Sequence, residues 1–330
     1  SEIDPPPDTT AVDSDAAEDE GEATEADVDM TNEEEEAANS ETALVELYFR
    51  SADGFVVPYT AEIPKTEGIA KEALTYMVKD GAMSELDGLP EGFSSLLPEG
   101  TKIIGLDIKE NGVANLDLSE EFLNYEPEDE EDLLGAITWA LTAWDSIDKV
   151  NLWINGEPLA YMPKGNTPAV NMTRDNTAIN IEMAEGVQIS NSMPVTLYFL
   201  GQTGESIYFV PVTRMVSRDH DVAKVTIEQL VAGPLASSSL NTEITNNLEV
   251  HDIAVEDDVV LADLGEQLLE YGQENKASEH AIQSIVLSLT ENTGASQVKI
   301  SIDGKSNVAS ENISLAEPVT RPAKINPFPL

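Results

Sequence analysis

The chain has 330 residues, 41% of them hydrophobic, enough to bury two cores, and a formal net charge of -46. With 63 acidic against 17 basic residues it lacks the lysines and arginines that neutralise phosphates, so nucleic acid is excluded as a partner. It has no cysteine, hence no disulfide, thiol nucleophile or thiolate metal site, and no apolar run long enough to span a bilayer.

Residues 1–42 hold 17 of the acidic residues, the prolines Pro5 to Pro7 and the run Glu33 to Glu36, and no lysine or arginine precedes Arg50. Such a segment cannot bury enough apolar surface to order itself and reads as a disordered acidic tether. It begins at Ser1, which suggests a processed or truncated N-terminus, and a lipid-bearing cysteine just upstream would fit. The remaining 46 acidic residues against 17 basic ones predict a uniformly acidic surface, which fits adaptation to high salt or high external pH first and pairing with a basic partner face second.

From residue 43 the chain states one pattern twice. Leu47-Tyr48-Phe49, followed by a turn and an apolar run to Pro58, predicts a β-hairpin. Ala70, Ala73, Leu74, Met77 and Val78 predict a first helix, and Asn111-Gly112 a second hairpin, because both turn residues accept positive φ. Leu133, Ile137, Ala140, Leu141 and Trp144 mark a second helix, and Val150, Leu152 and Ile154 a closing strand before Gly156. In the second copy, 195–200 and 207–212 predict the opening hairpin, 219–231 the first helix stopped by Gly233-Pro234, and 250–255 and 259–264 two strands. Then come a helix over 276–290 and a strand over 298–302 before Gly304.

The copies align at offsets of roughly 145–153: Leu116-Asp117-Leu118 with Ala262-Asp263-Leu264, Ala136-Ile137 with Ala281-Ile282, and the exits Ile179-Asn180 with Ile325-Asn326. The fold class is therefore α+β: two tandem two-layer α/β sandwich domains, each a hairpin followed by an αββαβ core. The expected division is a tether over 1–42, a first domain over 43–165, a linker over 166–193, a second domain over 194–310, and a tail over 311–330 packing on the second domain.

Leu197-Tyr198-Phe199, Leu230 before Ala232-Gly233-Pro234, 260–264 with Asp263, 282–290 and 298–304 resemble the GerM domain, a family known from a spore-formation lipoprotein with two such domains in tandem. The resemblance spans nearly all of the chain beyond the tether. The first copy departs from it, with Lys79-Asp80-Gly81 and a longer loop where the second has Ala232-Gly233-Pro234. It implies a non-enzymatic extracytoplasmic assembly protein of sporulation, built on a ring-building-motif-like core. Implied partners are channel proteins of the SpoIIQ and SpoIIIAH type between mother cell and forespore, and further copies of the chain itself. A helix face would pack on a neighbour's sheet, with membrane attachment only through the upstream lipid. The alternative is a cell-envelope module that binds a ligand or regulates through peptidoglycan.

Candidate chemistry is sparse, and no metal or cofactor is expected. His220, His251 and His280 have no partner at a metal-ligand spacing, and the acidic run 126–132 lacks the glycine and spacing of a calcium loop. Asp117 and Asp263 fit turn roles, and with Gly156, Gly233, Pro234 and Gly304 they define the repeat. Trp139 and Trp144 in one helix fit core and edge packing first, and as exposed side chains they are the candidate partner contacts.

Overall fold

The computed structural model describes residues 41–327. In the first repeat β1 (Thr42–Arg50) and β2 (Val56–Pro64) form an antiparallel hairpin, and α1 (Ile69–Thr75) follows. The strands β3 (Ile103–Ile108) and β4 (Val113–Leu118) lead into α2 (Glu130–Thr142), then β5 (Lys149–Ile154) and the short β6 (Glu157–Pro158), giving a sheet of order β3-β4-β5-β6. After β7 (Ile181–Met183) the second repeat runs through the hairpin β8 (Ser192–Thr203) and β9 (Ser206–Ser217), α3 (Val222–Ala232), β10 (Val250–Glu256), β11 (Val259–Leu264), α4 (Glu279–Thr293), β12 (Gln297–Ile302) and β13 (Val319–Thr320). Its sheet has the order β10-β11-β12-β13. The chain is thus a tandem of two α+β domains, each a hairpin followed by the αββαβ order.

Local chemistry sets the element ends. The Asp221 carboxylate accepts the Lys224 N–H at 3.2 Å and the Ser278 hydroxyl accepts the Ala281 N–H at 3.3 Å, so each side chain satisfies a first-turn donor of its helix. Helix α4 therefore starts three residues later than its apolar pattern predicts. Gly233 and Gly294 end α3 and α4 at φ 80° and 76°, values that carry no Cβ penalty only in glycine. Helix α1 has only seven residues, and Met77 and Val78 lie beyond it, where Val78 bridges Leu97 in a stretched loop.

In each domain the strands of the parallel pairs β4-β5 and β11-β12 turn alternate apolar side chains inward, with Ala114, Leu116, Val150 and Leu152 inward in the first sheet. The second helix lies on that inward face. The hairpin then covers the helix's other side: α2 packs on both β5 and β1, and α4 on both β12 and β8. Ile282, Ile285, Val286 and Leu289 of α4 are all fully buried, at about 1.5–3 kcal/mol each.

The two domains share one hydrophobic core. Strand β2 lies against β9, and the segment between the domains is bound in on both sides: Ala169 and Met172 bond to β5, and β7 pairs in parallel with β9.

Candidate functional site: a clamped domain junction

The repeat's matching exits meet at this junction, and each crosses to the other domain. The Asn180 carboxamide accepts the Val56 N–H at 2.9 Å and donates to the Val56 carbonyl at 2.8 Å and the Pro211 carbonyl at 2.7 Å. Asn326 accepts the Phe209 N–H at 2.7 Å and donates to the carbonyls of Phe209 and Pro58, both at 2.8 Å. Val56 and Phe209, and Pro58 and Pro211, are equivalent positions of the two hairpins, so the two clamps are copies of one another about an approximate twofold. The neighbouring backbone repeats the relation, since Thr213 N–H donates to the Ile179 carbonyl and Thr60 N–H to the Ile325 carbonyl. Both asparagines hold positive φ, 49° and 51°, a region asparagine tolerates better than most residues.

The arginines before these exits behave the same way. Arg174 donates to Thr142 Oγ1 at 2.8 Å and to the Trp139 carbonyl at 2.9 Å, closing the end of α2. Arg321 donates to Thr290 Oγ1 at 2.7 Å and to the Leu287 carbonyl at 2.8 Å, closing the last turns of α4. These contacts pair Thr142 with Thr290, a helix register three residues away from the match of Ala136 with Ala281. A three-residue slip is close to one helical turn and preserves the apolar stripe, so the sequence pattern barely registers it.

Glu291 joins the two arginines. Its carboxylate lies 2.5 Å from Arg174 and 3.8 Å from Arg321, and Glu46 adds a second carboxylate 3.3 Å from Arg174. Burial pushes the Glu291 carboxyl up, but Arg174 and then Arg321 outweigh it and hold it below the usual carboxylate range. Burial, with Glu291 beside it, pushes the Tyr198 phenol far up. A further buried arginine, Arg214, bonds Glu182 of β7 at 2.8 Å, Gln229 Oε1 at 3.1 Å and the Gly233 carbonyl at 2.9 Å, tying the interdomain strand to the end of α3. All these polar groups are spent on other protein groups, so the junction's chemistry is that of a lock.

Asp117 accepts the Gly156 N–H at 3.0 Å and Asp263 the Gly304 N–H at 2.8 Å; both glycines hold positive φ in equivalent turns. The Gly304 N–H, despite some desolvation, holds Asp263 below its usual range. Gly233 ends α3, and Pro234 follows where the helix cannot continue. Trp139 is 0% exposed, its indole donating to the Thr177 carbonyl at 2.9 Å under the Arg174 guanidinium, so it offers no surface to a partner. The hairpin layer is the reason: it covers the face of α2 that a one-sided helix would leave wet. Trp144 is half-buried against the core. The histidines are apart, His220 beside Asp219, His251 on Asp303 at 2.7 Å and His280 on Glu243 at 2.9 Å. Among the described residues no group of acidic and histidine side chains is arranged to hold a metal ion, and no helix is long and apolar enough to cross a membrane.

A family model described as Germane, sporulation and spore germination, matches residues 46–160 and 196–308. The spore germination protein GerM of Bacillus subtilis is 36% identical over 334 residues, covering 98% of this chain and 90% of that protein. The solved tandem GerMN domains of the Bacillus subtilis sporulation protein GerM match with a TM-score of 0.80 at 36% identity, over 87% of this chain and all of that one. The solved first GerMN domain of the same protein is 46% identical over 40% of this chain, with a TM-score of 0.38. Two matched repeats, in the order derived from the residues and in one locked body, place the chain in the Germane family of sporulation and spore germination proteins.

Proposed function

We propose that the chain is a non-enzymatic assembly protein of sporulation that works outside the cytoplasm as a rigid two-domain display unit. The observation that carries this reading is the reciprocal clamp by Asn180 and Asn326. A junction that spends two asparagines, two arginines and Glu291 on fixing one orientation presents the outer surfaces of both repeats at a constant spacing, which a scaffold needs. The family and its relatives, named for sporulation and spore germination, support the cellular setting. The partners in this reading are channel proteins of the SpoIIQ and SpoIIIAH type, with ring-type packing beside them.

The ring contact has a restricted choice of surface. The second helix of each repeat is covered on both sides, so a helix-to-sheet contact has the outer faces of α1 and α3 to use, where Lys71, Glu72, Lys224 and Glu228 are exposed. The test is light scattering of the chain with purified extracytoplasmic domains of those channel proteins across a range of salt. Defined complexes support the reading; a strict monomer with every partner and at every salt concentration refutes it. Retention on purified cell wall without any such complex moves the function to peptidoglycan.

A further inference from the structure

The segment between the domains builds a surface that the junction itself does not use. Four large apolar side chains there face solvent: Tyr161 is 60% exposed, Val170 39%, Ile181 53% and Met183 38%. They are neighbours in space. Tyr161 bridges Pro168, and Pro168, Val170 and Ile181 line one cleft of about 210 Å³ with Leu134 and Ala178. Ile181 and Met183 share the outer face of β7, while Glu182 between them turns inward to Arg214. Strand β7 is the outermost of the order β7-β9-β8, so its second edge is open among the described residues.

The platform is held rigid from below. The buried Glu130 carboxylate accepts the Gly165 N–H at 2.8 Å, the Thr167 N–H at 3.1 Å, the Thr167 hydroxyl at 2.5 Å and the Tyr125 hydroxyl at 2.5 Å. Burial pushes this carboxyl up, but those bonds outweigh it and keep it below its usual range. A fixed apolar platform beside an open strand edge is a surface built for another chain.

Charge selects the occupant. Around the patch Glu131, Asp175 and Glu185 are exposed, whereas Arg174 is paired with Glu46 and Glu291 and Arg214 with Glu182, and Lys164, turned to the Tyr125 carbonyl, is outnumbered by the exposed carboxylates. We propose that this surface docks an extended segment of a partner protein in which apolar side chains alternate with lysine or arginine. The segment adds to the free edge of β7, its apolar side chains seat on Val170, Ile181 and Met183, and its cations meet the acidic rim. A second copy, with the same net charge of -46, brings carboxylates to carboxylates, and so does the chain's own acidic segment 1–42. The proposal rests on the assembly reading and names the chemistry of one partner.

The probe is a fluorescein-labelled peptide, Lys-Val-Lys-Ile-Lys-Val, titrated by anisotropy against the full chain at about 0.15 M salt. It should bind saturably and at least about tenfold more tightly than Lys-Ser-Lys-Ser-Lys-Ser. Ile181→Ser, at an exposed position and with its fold checked by circular dichroism, should weaken it by about tenfold, and Ile104→Ser on the edge strand β3 should not. Equal affinity for the two peptides, or indifference to Ile181→Ser, overturns the proposal. So does self-association of the chain that Ile181→Ser abolishes, since the occupant is then a second copy. Undiminished binding of the channel domains by the Ile181→Ser chain also overturns this surface while the assembly reading stands. Peptide capture without any channel-domain complex supports the surface and refutes that reading.

Discussion

Replacing Asn326 by alanine tests the clamp most directly. The side chain is 7% exposed and makes three hydrogen bonds, one accepted from Phe209 N–H and two donated to the carbonyls of Phe209 and Pro58. Truncation leaves all three backbone groups unpaired in a site too tight for ready solvation, at about 1–3 kcal/mol each. The loss is therefore roughly 3–9 kcal/mol, with about 1 kcal/mol more because alanine must hold φ 51°. Against a net stability of about 5–15 kcal/mol that is a large fraction. Urea unfolding followed by tryptophan fluorescence and circular dichroism reads it. The parent should unfold in one transition because the core is continuous across both repeats, whereas Asn326→Ala should shift the midpoint down and separate the two domains. Asn326→Gly loses the same bonds but accepts the backbone, so it should fall short of the alanine loss by about 1 kcal/mol. Asn180→Ala, with the same three bonds in a partly exposed site, should cost less. A loss below about 1 kcal/mol for Asn326→Ala, or two transitions in the parent chain, refutes the clamp as the source of rigidity.

Glu291→Gln leaves Arg174 and Arg321 with Glu46 as their remaining carboxylate, and should cost about 2–3 kcal/mol, below the range for fully buried pairs because some water reaches the cluster. Because the folded Glu291 carboxyl is depressed, its stabilisation is present above the unfolded carboxyl range and fades as pH falls through the folded value. The parent should therefore lose stability on acidification below about pH 4, and Glu291→Gln should show a flatter acid limb in urea titrations. Glu130→Gln should release the 164–168 loop, read as faster amide exchange at Gly165 and Thr167 with little change in α4. Gly135→Ala places a Cβ 2.6 Å from Ile179 Cγ2 and 3.1 Å from the Ala178 carbonyl, and should lower stability by about 1–3 kcal/mol in thermal melts despite the better helix propensity of alanine.

Much of the fold was legible because it is local. The alternation of strands around Val150 and Val298, the Asn111-Gly112 turn and the Gly233 stop depend on neighbours in sequence. The candidate site was legible only in outline. Ile179-Asn180 and Ile325-Asn326 stand out as matched exits, yet nothing near Asn326 indicates that its partner is Pro58, 268 residues away. The burial of Trp139 was hidden for a related reason. A helix stripe reports one buried face, and the second face of α2 is buried by a hairpin from the start of the domain. The exposed apolar side chains of the interdomain segment escaped notice because Tyr161, Val170 and Ile181 are scattered among polar residues, and only the crossing of β7 onto β9 gathers them.

The departures from symmetry are as informative as the symmetry. An approximate twofold brings the repeat-equivalent Arg174 and Arg321 to one carboxylate, where the two arginines alone would face each other with like charges. The carboxylates that relieve this occur once each: Glu46 stands where the second repeat has Thr196, and Glu291 where the first has Ala143. Together these two carboxylates make the cluster of two arginines and two glutamates neutral. They also make the junction asymmetric, because a repeat paired with its own copy would supply one of these carboxylates twice and the other not at all. The duplicated domain is thereby fitted to one orientation with its sister.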